Sequence, residues 1–253
     1  MAKITISKLP TRAPKAYDKE EYKNKRIELT QEIGELATKM FAERKHSLLV
    51  VLQGMDSSGK DGVARKVFQY VSPSMCSAKS FGKPTDEEFA HDFLWRVHPH
   101  APAKGKTSIF IRSHYEDVLI QRVHKWINGR QVSARIKAIN AWEELLKFDN
   151  KTTILKFFLN LSYEKQGEKL QERIDDPERN WKHKDGDWTE RKYWKSYMSA
   201  YQDAMNRSSI PWIPVPADQR WYRDYYVAKE VHKALKKLNP KYPILESKTS
   251  VSE

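Results

Sequence analysis

Residues 47–53 read SLLVVLQ, five apolar side chains in unbroken succession. A strand with one wet face alternates apolar and polar residues; a continuous run must be buried on both faces, as in a parallel sheet covered by helices above and below. TSIFIRS (107–113) and TTILKFFLNL (152–161) carry the same signal, and CSAKSF (76–81) a weaker one. IPWIPV (210–215) is a strand interrupted by prolines, which withhold backbone donors and confine it to a sheet edge. Helical patterns fill the intervals. Leu29, Ile33, Leu36 and Met40 recur within 17–44, and Ile136, Ile139, Trp142 and Leu146 within 132–148. Further helices are read over 86–97, over 115–127, after residue 161, and over 220–238, ending before Asn239-Pro240. Strand and helix in alternation give an α/β fold with a parallel sheet of about five strands. Organisation is expected as a basic arm over 1–16, a single domain over 17–240, and a flexible tail over 241–253. The arm holds Lys3, Lys8, Arg12 and Lys15 with no acid.

Between the first strand and its following helix lies QGMDSSGKDG (53–62). Gly54, Gly59 and Lys60 have the G-x-x-x-x-G-K spacing of a phosphate cradle, in the strand–loop–helix context that such a cradle requires. Backbone donors across Ser57, Ser58, Gly59 and Gly62 and the positive end of the helix face an anion there, and Lys60 adds a full charge. Asp61 stands where Ser or Thr would help to hold magnesium. It serves either as a first-turn acid complementing the helix dipole or as support for a bound metal. Asp56, in mid-loop, would repel a bare phosphate chain. A divalent cation between carboxylate and phosphate reverses that sign, and Mg²⁺ or Mn²⁺ suits one or two carboxylates completed by phosphate oxygens and water. Asp56 is therefore the expected metal ligand.

IFIRSHYED (109–117) places a cluster of functional side chains at the end of a strand, where open α/β sheets bind ligands. Arg112 is suited to clamping phosphate oxygens. Glu116 and Asp117 contact metal or acceptor, or simply form the acidic first turn of the next helix. His114 is either a structural hydrogen-bonder or a base. His98 and His100 lack further ligands at metal spacing, so that stretch reads as loop; Lys104 and Lys106 beside it are candidates for facing a polyanion. The segment 175–188 breaks the strand–helix rhythm. Its Arg179, Lys182, His183 and Lys184 are interleaved with Trp181 and Trp188. It reads as a lid over phosphates, though interleaved bases and aromatics also mark single-stranded nucleic-acid binding.

The chain carries 46 Lys and Arg against 33 Asp and Glu, a net charge of +13, which points to a polyanionic partner. Cys76 is the only cysteine, so no intramolecular disulfide exists and a reducing, cytoplasmic setting is expected. No stretch approaches eighteen apolar residues, so no membrane span is expected.

GMDSSGKDG, SFGKPTDEEFAHDFLWRVHPHAPAKGK, RSHYEDVL, RIDDPERNWK and VPADQRWYRDY together resemble the polyphosphate kinase 2 family, the RSHYED form its class III branch. The resemblance spans about residues 20–238. It implies a three-layer α/β/α P-loop kinase fold with a mobile lid, a requirement for Mg²⁺, and reversible phosphoryl transfer between inorganic polyphosphate and nucleotides, with AMP and ADP as acceptors and ATP as a product. By position, Asp56, Lys60 and Asp61 match the family's loop residues, Arg112 the arginine of its second motif, and Arg173, Asp176, Lys182 and Asp187 its lid. Arg112, His114, Tyr115 and Glu116 fall in the nucleotide-contacting motif, Glu116 where branches differ in acceptor choice. Many members have Asp or Asn where this chain has Ile111, so a metal role there passes to Asp56, Asp117 or water. Arg173 joins Asp56, Lys60 and Arg112 as an expected catalytic group, and Lys104 and Lys182 as expected phosphate contacts. A homo-oligomer, dimer or tetramer, is expected, with no membrane partner and no nucleic acid. An ATP-dependent nucleotide kinase and a nucleic-acid-binding module are the rival readings.

Overall fold

A computed structural model of the chain describes residues 3–245. The chain runs through α1 (Lys19–Glu43), β1 (Ser47–Gln53), α2 (Lys60–Val67), β2 (Cys76–Ser80), α3 (Asp86–Ala90), β3 (Thr107–Ile111), α4 (Glu116–Val123) and α5 (Gly129–Asp149). It continues through β4 (Thr152–Asn160), α6 (Tyr163–Asp175), α7 (Asp185–Arg191), α8 (Trp194–Asn206), β5 (Trp212–Pro216) and α9 (Arg220–Leu238). The five strands form one sheet in the order β2-β3-β1-β4-β5, every pairing parallel. The proline-bearing β5 is an edge, as its missing donors require.

The unbroken apolar run of β1 is explained by two cores. Leu49 and Val51 point to one face, where α4, α5 and α8 supply Val118, Leu119, Ile136, Ile139, Trp142 and Tyr201. Leu48, Val50 and Leu52 point to the other, against Ile33 and Met40 of α1, Val63 and Val67 of α2, and Val227 and Val231 of α9. All seven residues of β1 are buried. The result is a three-layer α/β/α sandwich.

α2 leaves β1 toward one face, whereas α4 leaves β3 toward the other. The crevice between these diverging connections, at the carboxyl ends of β1 and β3, is where such sheets bind ligands. The N-terminal arm crosses near the same end: Asn160 Nδ2 donates to the carbonyls of Leu9 (3.3 Å) and Pro10 (3.0 Å), and Asp218 N to Thr11 (2.9 Å). Ile6 is buried in the core.

The helix read over 86–97 stops at Ala90. The chain turns instead: Asp92 accepts from Leu94 N, and Arg96 folds back to donate to the Gly82 carbonyl and to Glu88. Local apolar spacing suggested a longer helix; the arginine's tertiary partners override it. The segment 175–188 is structured, with a 3-10 turn at Pro177–Lys182 followed by α7. Of the tail over 241–253, residues 246–253 lie outside the described residues.

Candidate active site

Left-handed backbone is concentrated in the loop after β1. Gly54 (φ +150°) and Gly59 (φ +91°) adopt conformations that favour glycine, and Ser57 (φ +65°) shares the left-handed region. Space forbids a side chain at Gly59 independently, since a Cβ there would sit 1.8 Å from Arg223 Nη1. Lys60, the first residue of α2, turns its buried ammonium back onto the loop and donates to the carbonyls of Gly54 (2.8 Å) and Met55 (3.2 Å). From beneath, Arg223 Nη1 donates to the Ser58 carbonyl (2.9 Å), Lys169 Nζ approaches the Ser57 carbonyl (3.4 Å), and Gln166 donates to the Asp56 carbonyl (3.2 Å).

Asp56 Oδ1 accepts from Arg112 Nη2 at 2.7 Å. Burial opposes the charge on Asp56, but Lys60 and Arg112 outweigh it and hold the carboxyl below its usual range. Lys60 is pulled the other way: burial lowers its pKa, Arg112 adds to that, and Asp56 opposes it. Glu116, whose carboxyl is raised by burial, lies within the fields of Arg112, Lys60 and Asp56. Near the end of α6, Arg173 Nη1 donates to Asp187 Oδ2 of α7 at 2.5 Å, and Asp187 is raised first by burial and then by the charge of Asp56. Three carboxylates and three cations thus converge on one loop.

Two clefts flank this loop. The first, about 340 Å³, is bounded by Gly54, Asp56, Arg112 and Glu116 at one end. Phe81, Pro84, Ile120, Trp126 and Tyr201 give its walls an apolar and aromatic character, and Arg96 and Asp117 lie among them. The second, about 500 Å³, is lined by the cations Lys165, Lys169, Arg179 and Arg220 and by the carboxylates Glu172, Asp175, Asp176 and Asp218. Lys169 is only 7% exposed. Its pKa is lowered to about 8, first by burial and then by Arg223 and Arg220, with Asp218 a weaker counterweight. Burial and the neighbouring cations both work against its charge.

A family model described as polyphosphate kinase 2 matches residues 16–243. The chain belongs to the polyphosphate kinase 2 family. It is 44% identical over 223 residues, 87% of this chain and 81% of the relative, to an AMP/ADP-polyphosphate phosphotransferase from Meiothermus ruber. Over 257 residues it is 35% identical to an ADP-polyphosphate phosphotransferase from Rhodopseudomonas palustris, covering 95% of this chain and 89% of that one. The crystal structure of a polyphosphate kinase 2 from Arthrobacter aurescens superposes with a TM-score of 0.94 at 36% identity, covering 98% of this chain and 90% of that chain.

Of the residues singled out in this polyphosphate kinase 2 chain by sequence, the structure brings Gly54, Asp56, Ser57, Ser58, Gly59, Lys60, Arg112, Glu116 and Arg173 together. Asp61 and Gly62 sit in the first turn of α2, Asp61 exposed at the helix's positive end, which is the dipole reading. Four expectations fail. His114 and Tyr115 do not face the cleft beside Arg112; they are 0% and 1% exposed, because the chain turns at left-handed Arg112 (φ +59°) and carries residues 113–115 inward together. Lys104 is carried to the wrong end of the sheet: neighbouring Gly105 N bonds His46 O, just before β1, roughly 20 Å from the loop at strand rise. Lys182 lies over the exposed Trp181 ring (4.7 Å), and Lys184 lines the cleft in its place. Asp117 is not paired with Asp56: it accepts from Gln121 (2.5 Å) and faces Arg96 (3.8 Å), and burial pushes it up to about 6. A cation there would meet the positive charge of Arg96 and Arg135.

Sequence reasoning missed Lys169, Arg223 and Tyr201, and named Lys184 only among the bases of the 175–188 segment. Arg223 lies within the VPADQRWYRDY motif, where its charge was visible; Lys169, in an evenly charged helix, gave no signal.

The oxygen-only donor set of Asp56, with Glu116 nearby, suits a hard cation such as Mg²⁺ or Mn²⁺. Among the described residues no cluster of three ligating side chains forms a closed cage. A site with one or two carboxylates depends on substrate oxygens for the rest of its shell.

Proposed function

We propose that this chain moves the terminal phosphoryl group of inorganic polyphosphate to nucleoside mono- and diphosphates, AMP to ADP and ADP to ATP, reversibly and with a divalent cation. The names of its relatives support polyphosphate as donor and AMP and ADP as acceptors. The single observation that carries the geometry is the partition: a cleft with apolar and aromatic walls and a cleft lined wholly by charged side chains, whose buried Lys169 reaches the Ser57 carbonyl, meet at one phosphate loop. The first suits a nucleotide with its phosphate toward Asp56 and Arg112; the second suits a chain of phosphates.

A phosphate oxygen of the acceptor attacks the terminal phosphorus of polyphosphate. A new P–O bond forms, the old P–O–P bond breaks in line, and polyphosphate shorter by one unit departs. The attacking phosphate, with a second pKa of about 6, is already ionised at neutral pH, so no strong general base is required. Catalysis is positioning and charge neutralisation. Lys60 and Arg112 hold the transferring group, Arg173 brings positive charge from the end of α6, Lys169 and Arg220 hold the donor chain, and Arg223 braces the loop from beneath. Asp56 is the residue that would hold Mg²⁺ or Mn²⁺, which supplies neutralisation between the carboxylate and the phosphate oxygens. Closure of the lid would exclude water.

The same proposal includes one domain over 17–240 and a cytoplasmic homo-oligomer, dimer or tetramer, without membrane or nucleic-acid partners. A single sheet supports the domain; among the described residues no helix is long and apolar enough to cross a membrane. Incubation with AMP and Mg²⁺, with polyphosphate or ATP as sole donor, tests the function. ADP and then ATP are expected from polyphosphate; turnover with ATP alone as donor would overturn it.

A further inference from the structure

Arg112 and Glu116 both line the acceptor cleft, and the three residues between them do not. Ser113, His114 and Tyr115 turn inward and are at most 1% exposed. The turn they form is not relaxed. Arg112 has φ +59°, a conformation unfavourable for a side chain with a Cβ. Its backbone N–H is tied to Leu52 O (3.0 Å) and Glu116 N to Ser113 O (2.9 Å), which pin the two ends but not the side chains between. Something on the buried side must hold the rest.

That side contains a polar network with no exit to either cleft. The Glu143 carboxylate, from α5, accepts from His114 Nε2 (3.2 Å) and Tyr115 Oη (3.0 Å), and is ion-paired to Lys156 of β4. Lys156 Nζ also donates to Tyr115 Oη (2.8 Å) and to Ser208. Glu143, Lys156 and His114 are all 0% exposed. The His114 ring is enclosed by Phe110, Tyr115 and Trp142. Ser113 Oγ completes the clamp, accepting from Tyr115 N (3.1 Å) and Gln53 Nε2 (3.2 Å).

Stability alone does not explain this choice of residues. A buried ion pair loses so much hydration that apolar side chains of similar volume are often as stable or more so. What directional bonds add is a single arrangement, where an apolar cluster would tolerate several. We propose that Glu143 and Lys156 are positioning residues: with His114 and Tyr115 they clamp, from inside the core, the turn that presents Arg112 and Glu116 to the acceptor and the transferring phosphoryl group. The inference rests on the role given to Arg112 above.

The test is a mutant cycle on the intact enzyme, with kcat measured for polyphosphate and ADP at saturation. The paired change Glu143→Leu/Lys156→Met removes both charges together and is expected to melt cooperatively near the wild-type Tm. Its kcat is expected to fall about 10- to 100-fold through misplacement of Arg112, with KM for polyphosphate little changed. In an Arg112→Ala/Glu116→Ala background the same pair is expected to change kcat less than twofold, because both groups it positions are gone. An unchanged kcat in the folded pair, or an equal loss in both backgrounds, overturns the proposal; the latter is what a general structural defect produces. Should the pair not fold, Tyr115→Phe removes only the shared hydroxyl and carries the same cycle, with the same results supporting or overturning the proposal. Wild-type turnover in Arg112→Ala alone refutes the role of Arg112, and the inference falls with it.

Discussion

Replacing Lys169 by methionine should make this enzyme more stable and worse at using polyphosphate. Lys169 is almost fully buried, and its pKa falls from 10.5 to about 8. That difference of about 2.5 pH units corresponds to about 3 kcal/mol, at roughly 1.4 kcal/mol per unit, as the cost of keeping the ammonium charged in the folded chain. Its two backbone acceptors, Ser57 O at 3.4 Å and Ala217 O at 3.5 Å, are at the long limit, so losing them costs about 1 kcal/mol. The net gain for Lys169→Met at pH 7 is therefore about 2 kcal/mol, or roughly 4–8 °C in Tm for a domain of this size. The sign with pH follows from linkage. Below pH 8 both folded and unfolded chains bind the proton and the folded chain bears the full cost. Between pH 8 and 10.5 the unfolded chain binds more protons, so wild-type stability rises with pH. The Tm gap between variant and wild type should shrink across that window. In function the order reverses: without the charge, KM for polyphosphate should rise about tenfold, and added polyphosphate should stabilise wild type more than the variant. Calorimetry from pH 7 to 10.5 and steady-state kinetics measure both. A less stable variant at pH 7, or a gap indifferent to pH, would refute the reasoning.

Three further outcomes are expected. Lys60→Ala or Asp56→Ala should abolish transfer from polyphosphate to ADP with the far-UV circular dichroism unchanged; near-normal turnover in either would remove that residue from the mechanism. Gly59→Ala combines an unfavourable φ with a Cβ driven onto Arg223, so kcat/KM should drop by about 10²-fold and Tm should fall together with it; an active, unshifted variant would show that the loop has another geometry. Burial pushes the Cys76 thiol up to about 11. Iodoacetamide at pH 7.5 should therefore label it about 100-fold more slowly than an exposed thiol and at the normal rate in urea; equally rapid labelling of the native chain would contradict that burial.

Much of the architecture was legible locally. The β1 run could only be doubly buried, and α9 was bounded by its periodicity and by Asn239-Pro240, matching Arg220–Leu238. The loop was legible because glycine spacing reports backbone conformation directly. The helix over 194–206 gave no clear pattern, and the one over 86–97 was read too long, because its end is decided by Arg96 reaching Gly82 and Glu88. Site residues divide in the same way. Asp56, Lys60 and Arg112 were visible from chemistry at a strand end. Tyr115 looked equally eligible, yet the left-handed turn at Arg112 sends residues 113–115 together into the core, Tyr115 beside Glu143 and Lys156, which no local pattern connects.

By itself the sequence determined the parallel sheet, the phosphate loop, the need to reconcile its aspartates with an anion, and the family. Only the tertiary structure decided which charged side chains line the second cleft, that Lys104 stands at the far end of the sheet, and that His114 and Tyr115 lie behind the site in the core. Periodicity and glycine placement act over a few residues and are written in order along the chain. Charge pairing and tertiary hydrogen bonding act across elements 50 to 150 positions apart, as between Asp56 and Arg112 or Asn160 and Pro10, and come into being only when the sheet has been assembled.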